Sequence, residues 1–206
     1  MIEELEARYL VGVAGVSELW LIRHADAYRG LETLPDGRID PPLSARGRDQ
    51  AQRLAARLAA VPLHAIWSSD LRRARETAGA VAGGRALEVR TDPRLGEVRT
   101  YWDEGPDFPE RPAPGTYPFP EPEAEVADRM RAAVADIVAD LAGAGAAEPR
   151  AAVVTHNATI AIYLGSVLGL RWGQLRVMPL YTSVSVVAIK GEQTVVRSIA
   201  DVTHLA

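Results

Sequence analysis

Two histidines in this 206-residue chain stand directly after short apolar runs that read as buried strands. His24 follows Arg23 at the end of "ELWLIRH", and His156 precedes Asn157 at the end of "AAVVTHN". A third run, "HAIWS", leads through Ser69 and Asp70 into a stretch carrying Arg72, Arg73 and Arg75. An imidazole can act as a nucleophile, as a general acid or base, or as a metal ligand. Guanidinium groups beside it favour an anion, because they match phosphate and carboxylate oxygens and repel a cation. Arg23, placed directly after a buried strand, needs an anionic partner of its own. The set therefore describes a phosphate pocket better than a metal centre, although His24, His156, Asp26 and Glu97 could together supply nitrogen and oxygen ligands.

Other chemistries are excluded by what the sequence lacks. It has no cysteine, hence no disulfide, no thiolate nucleophile and no zinc–cysteine site. Neither GxxxxGK[ST] nor GxGxxG occurs, so nothing signals a nucleotide fold, and no G-x-S-x-G elbow is present. A net charge of −4 with mixed signs along the chain argues against nucleic acid or an anionic membrane as partner.

The elements that must position these residues follow from hydrophobic periodicity. Strands are expected at Glu18–Ile22, His64–Ser68, Ala86–Arg90, Ala151–Thr155 and Ser183–Ile189, with a sixth at Thr194–Ile199 behind the turn "KGEQ". Helical stripes fall between them. One has Ala51, Leu54, Ala55 and Leu58 on one face; another starts after Ser69 or Asp70 as N-cap and stops at Gly83-Gly84. A long amphipathic stretch is "EPEAEVADRMRAAVADIVADLAGAG", and "ATIAIYLGSVLGL" is apolar nearly all round. Alternating strands and helices predict an α/β fold, a three-layer sandwich with a mostly parallel central sheet and helices on both faces. Ligands then bind beyond the carboxyl ends of the strands, where Arg23-His24, Ser69-Asp70 and His156-Asn157 all fall.

The chain reads as one domain, residues 1–206, with an N-terminal extension at 1–17 and a proline-rich loop at 103–122 lying over the active site. In that loop Phe108, Tyr117 and Phe119 offer apolar contacts, and Arg111 a contact for an acidic substrate. No run approaches the ~20 apolar residues of a membrane helix. Three glutamates precede the first arginine, unlike a signal peptide, so a cytoplasmic location is expected.

In these motifs the chain resembles the histidine phosphatase superfamily, also called phosphoglycerate mutase-like. "LIRHADA" is similar to its opening arginine-histidine motif, and "DPPLSARGRDQAQRLAARL" to the segment after it. "SSDLRRARETA" fits Ser-x-Leu-x-Arg-Ala-x-x-Thr-Ala, which assigns the second pocket arginine to Arg73. "DPRLGEVRTYWDEG" resembles the segment supplying the acid, putting that role on Glu97 with Asp103 and Glu104 in reserve. "VVTHNATIAIYLGSVLGL" matches the second-histidine segment at His156, and "DVTHLA" resembles the usual chain end. Ala25, Asp26-Ala27, Gly30, Tyr101 and Asn157 depart from the residues common at those places.

The resemblance implies catalysis by His24, Glu97 and His156, with Arg23, Arg73 and Asn157 binding substrate, and neither metal nor cofactor. A neutral His24 attacks phosphorus, His156 helps as imidazolium, and Glu97 gives and then takes a proton. The expected activity is phosphomonoester hydrolysis through phosphohistidine on a small phosphorylated metabolite or phosphoprotein, with no nucleic-acid or membrane partner. Alternatives are a phosphoglycerate mutase-type phosphotransferase, a phospho-ligand-binding module and a protein phosphohistidine phosphatase. Oligomeric state is not legible.

Overall fold

A computed structural model of the protein describes residues 2–28, 40–99, 117, 119–175 and 177–206. Among these, six strands form one sheet: β1 (Ser17–Arg23), β2 (Ala65–Ser68), β3 (Val89–Thr91), β4 (Arg150–Thr155), β5 (Val184–Lys190) and β6 (Gln193–Asp201). Their order is β3-β2-β4-β1-β5-β6. The first four are mutually parallel, while β5 runs antiparallel to β1 and returns as β6. Lys190 to Gln193 is the expected hairpin, turning at Gly191 with φ +57°, where a side chain would be strained. β3 begins three residues later than its apolar run suggests, because only Val89–Thr91 pairs with β2.

The helices make two outer layers, as the alternating pattern predicts. Leu54 and Leu58 of α2 (Ala45–Leu58) and Ala74, Ala78 and Val81 of α3 (Arg72–Ala82) pack on Ile22, Ile66, Ala152 and Val154. On the opposite face, Met130, Ile137 and Leu141 of α4 (Glu123–Ala142) and Ile160 and Leu164 of α5 (Asn157–Val167) cover Leu19, Leu21 and Val153. Successive strand residues thus feed opposite cores, which is the period of two expected of a sheet buried on both sides. None of the described helices is long and apolar enough to cross a membrane.

The N-terminal residues form a short helix, α1 (Ile2–Arg8), followed by turns. Leu10 and Val16 are buried against Ala188, and the carbonyls of Arg8 and Leu10 accept hydrogen bonds from Gln193 and Arg197 of β6. Most of the proline-rich loop lies outside the described residues, with Asp103, Glu104, Phe108 and Arg111; so do Gly30 and Tyr101.

Candidate active site

Strand register brings the two histidines together. β1 and β4 pair with Arg23 opposite Thr155, so His24 and His156 are the first residues past two adjacent parallel strands. The amide of His24 donates to the Thr155 carbonyl at 2.9 Å, and the two imidazole centroids are 5.0 Å apart. Both rings are buried. Beyond β2, the Ser69 amide is held by the Val154 carbonyl, which brings its hydroxyl within 2.9 Å of His156 Nε2.

α3 begins at Arg72 rather than behind a side-chain cap. Leu71 is its N-cap and makes no capping hydrogen bond; the Ser69 hydroxyl is spent on the Leu71 amide and His156 instead. Arg73 in the first turn consequently reaches both rings. Its Nε donates to Nε2 of His24 at 3.3 Å, and its Nη2 lies 3.4 Å from Nδ1 of His156. Arg72 and Arg75 are exposed.

These contacts fix the state of His24. Nδ1 lies 2.7 Å from the Ala25 carbonyl, an acceptor, so it carries the hydrogen. Nε2, facing the Arg73 donor, carries the lone pair. Burial first, then the Arg73 charge, depresses the His24 pKa to about 3, against the partial support of the Ala25 hydrogen bond. The imidazole is neutral at physiological pH. His156 is also held well below the usual histidine value, by burial and then by Arg73 and His24. A protonated His156 is thus disfavoured in the free protein, where a buried ring beside a guanidinium has no anion to balance a second positive charge; the imidazolium expected of it concerns the ring with phosphate bound.

Arg23 packs its guanidinium on the face of Tyr181, 4.0 Å from the ring centroid, and donates from Nη1 to the Pro179 carbonyl at 2.8 Å. Its Nε is buried and makes no hydrogen bond to a described residue. Desolvation lowers its pKa, partly countered by Tyr181, Glu97 and Asp26. Nothing in the sequence singles out Tyr181, which comes from a segment far along the chain and also stands 5.7 Å from the His24 ring.

Glu97 follows the 3-10 turn Pro93–Leu95 and is half-buried. Its Oε1 accepts from the Val98 amide at 3.0 Å, the Thr159 hydroxyl at 3.2 Å and the Thr159 amide at 3.3 Å. Oε2 makes no hydrogen bond among the described residues, so one oxygen is anchored at the start of α5 and the other is available. Arg129 of α4 fixes the same turn by donating to the Arg94 and Gly96 carbonyls. Thr159 is a second positioning residue that the sequence does not reveal. Asn157 is the first residue of α5, with His156 as N-cap, so Asn157 is not a cap. Asp26 points elsewhere: its Oδ2 accepts from the Ser44 hydroxyl at 2.7 Å. The described residues contain no cluster of three or more His, Asp or Glu able to hold a metal ion.

Comparisons with known proteins give the family. Residues 19–202 match the family described as the histidine phosphatase superfamily (branch 1). The chain is 28% identical to a probable phosphoglycerate mutase of Escherichia fergusonii over 208 aligned positions, covering 91% of this chain and 94% of that one. Over 80 positions, 39% of each chain, it is 40% identical to the adenosylcobalamin/alpha-ribazole phosphatase of Escherichia coli. The solved structure of a mycobacterial glucosyl-3-phosphoglycerate phosphatase superposes with a TM-score of 0.73 at 26% identity, covering 91% of this chain and all of that one.

Proposed function

The chain belongs to the histidine phosphatase superfamily, and from that premise we propose that it hydrolyses phosphate monoesters through a phosphohistidine on His24. One observation carries the reading: His24 is neutral, with Nδ1 spent on the Ala25 carbonyl and the Nε2 lone pair beside Arg73. In the first step Nε2 attacks phosphorus, the P–N bond forms, and the P–O bond to the alcohol breaks as Glu97 donates its proton to the leaving oxygen. In the second, a water gives its proton to Glu97 and attacks phosphorus, releasing phosphate and restoring His24.

Arg23, Arg73 and Asn157 hold the phosphoryl oxygens, and the buried Nε of Arg23 gains an acceptor there. An unpaired buried donor costs about 1–3 kcal/mol, which a phosphate oxygen offsets. A phosphate dianion also lets His156 take up a proton and stabilise the equatorial charge, a role it cannot fill in the free protein. Neither step calls on a metal or cofactor, because the guanidinium groups supply the positive charge. The substrate class is a small phosphorylated metabolite.

The test is hydrolysis of 4-nitrophenyl phosphate in EDTA, with acid-quench trapping of phosphate on the protein. Wild type turns over and labels on His24; His24→Ala does neither. Full EDTA-resistant activity in His24→Ala overturns the proposal. Phosphoglycerate mutase activity, the reading favoured by the likeness to the Escherichia fergusonii protein, appears instead as interconversion of phosphoglycerates dependent on a bisphosphorylated primer.

A further inference from the structure

Thr182 is fully buried and sits at φ +57°, a backbone region that a β-branched residue enters only under strain. Such an outlier persists only where the surrounding structure holds it. Its neighbours in sequence all serve Arg23. The Pro179 carbonyl accepts from Arg23 Nη1 at 2.8 Å, and the Tyr181 ring centroid lies 4.0 Å from the guanidinium. The Thr182 amide donates to the Arg23 carbonyl at 3.0 Å, and the Ser183 carbonyl accepts from the Arg23 amide at 3.2 Å. Residues 179–183 thus grip Arg23 by main chain and side chain. The kink at Thr182 falls between the residue that stacks on the guanidinium and the residue that pairs with its backbone.

The contacts that hold Thr182 come from a different part of the chain. Arg57 of α2 can only donate, and its Nη1 lies 3.1 Å from Nδ1 of His204, so that nitrogen keeps the lone pair. The hydrogen of the neutral ring is then on Nε2, which faces the Thr182 hydroxyl oxygen at 3.0 Å. That hydroxyl passes its own hydrogen to the Tyr181 carbonyl at 2.7 Å. Every donor therefore points one way: Arg57 to His204, His204 to Thr182, Thr182 to Tyr181. Asp201 anchors the start of this chain, pairing with Arg57 through one carboxylate oxygen and accepting the Thr203 amide with the other. Burial first, then the Arg57 charge, lowers the His204 pKa, partly offset by Asp201, so the ring stays neutral at physiological pH.

We propose that His204, in the 3-10 turn Thr203–Leu205, is a positioning residue for Arg23: through Thr182 it locks residues 179–183 in the conformation that presents the guanidinium to phosphate. The proposal rests on the phosphate-holding role given to Arg23 above.

Three variants test it. His204→Phe keeps a planar ring and loses both hydrogen bonds, and Thr182→Val keeps the branched shape and loses the hydroxyl. His204→Gln keeps a donor at about the reach of Nε2. With 4-nitrophenyl phosphate, kcat/KM falls about tenfold or more in the first two and stays within about threefold of wild type in the third, since misplacing a group by about 1 Å costs up to about 100-fold. The Arg23 Nε–H resonance, shifted by the Tyr181 ring in wild type, moves toward the position of a solvent-exposed arginine in His204→Phe and Thr182→Val only. A merely structural residue would lower Tm without moving that signal in the folded protein. The positioning role is overturned by folded variants whose kcat/KM stays within about twofold of wild type, by activity lost with the resonance unmoved, or by failure of both variants to fold. Wild type that neither turns over nor labels on His24 overturns the hydrolase reading instead, while the resonance still decides whether His204 places Arg23.

Discussion

Nε of Arg73 directs its hydrogen at Nε2 of His24 across 3.3 Å, so a guanidinium faces the ring's lone pair in the free protein. The same guanidinium lies 3.4 Å from His156 Nδ1. One cation thus lowers the basicity of both rings, and in the proposed reaction it meets the charge of the incoming phosphate. In the proposed reaction, phosphate oxygens would replace the ring nitrogens as acceptors and free the lone pair for attack.

Arg73→Ala removes that charge but leaves most of the burial. The His24 pKa rises from about 3 while staying below the usual histidine value, because desolvation is its first cause and Arg73 only its second. Imidazole proton NMR across pH 3–8 reads this directly; an unchanged His24 titration would contradict the assignment. Turnover falls by about 100-fold or more, the scale of losing one preorganised charge at a transition state.

Both buried histidines also make stability depend on pH. In the unfolded chain they titrate near 6.5, whereas in the fold both are held well below that. Over the window from about pH 6.5 down to about 3 the unfolded chain binds more protons, so stability falls as pH falls and is fully present above 6.5. Asp92, Glu121 and Asp201, whose pKa values are depressed, add losses of the same sign at lower pH. Thermal denaturation shows Tm beginning to drop near pH 6.5, and His156→Asn flattens the curve between pH 6.5 and 4.5. An equal slope in that variant would count against it.

Glu97→Gln separates proton donation from binding. Alkyl phosphates, whose alkoxides leave poorly, slow by about 100-fold or more, while 4-nitrophenyl phosphate slows less than about tenfold. Equal slowing of both moves the acid to another residue. Thr159→Val, which removes the hydroxyl anchoring Oε1, gives a weaker version of the same pattern.

How much of this was legible depended on distance along the chain. The strand ends with Arg23-His24 and His156-Asn157 were legible because hydrophobic runs end there, and parallel pairing makes their adjacency a matter of register. The hairpin at Gly191 was legible from its turn residues. Tyr181 was not, because it reaches Arg23 through a tertiary contact with no local periodicity. Ser69 was legible as a polar residue at a helix start, but its hydroxyl can serve only so many partners, and a buried imidazole outcompetes a cap. His156's charge state could not be read either, since burial and the Arg73 contact set it and a motif contains neither.

Gly47 has a similar hidden cause. A Cβ there would lie 1.8 Å from the Asp26 carbonyl oxygen, backbone that cannot swing aside. α2 is therefore pressed against the residue two beyond His24, and Ser44 and Gln50 of the same region hydrogen-bond Asp26. Gly47→Ala destabilises by about 2 kcal/mol or more, in the range of overpacked cores, and lowers kcat as the Ala25-Asp26 backbone shifts. A Tm within about 1 °C of wild type would refute the contact.

The amides of Arg23 and His24 are tied to opposite neighbours, the first to the Ser183 carbonyl beside β5 and the second to the Thr155 carbonyl ending β4. Separating His24 from His156 therefore requires shearing the middle of the sheet, an event on the scale of global unfolding. Hydrogen exchange at these two amides should be among the slowest in the protein, at rates that report global opening. The two histidines thus share one rigid wall, and the 5.0 Å between their rings changes only when the sheet itself opens.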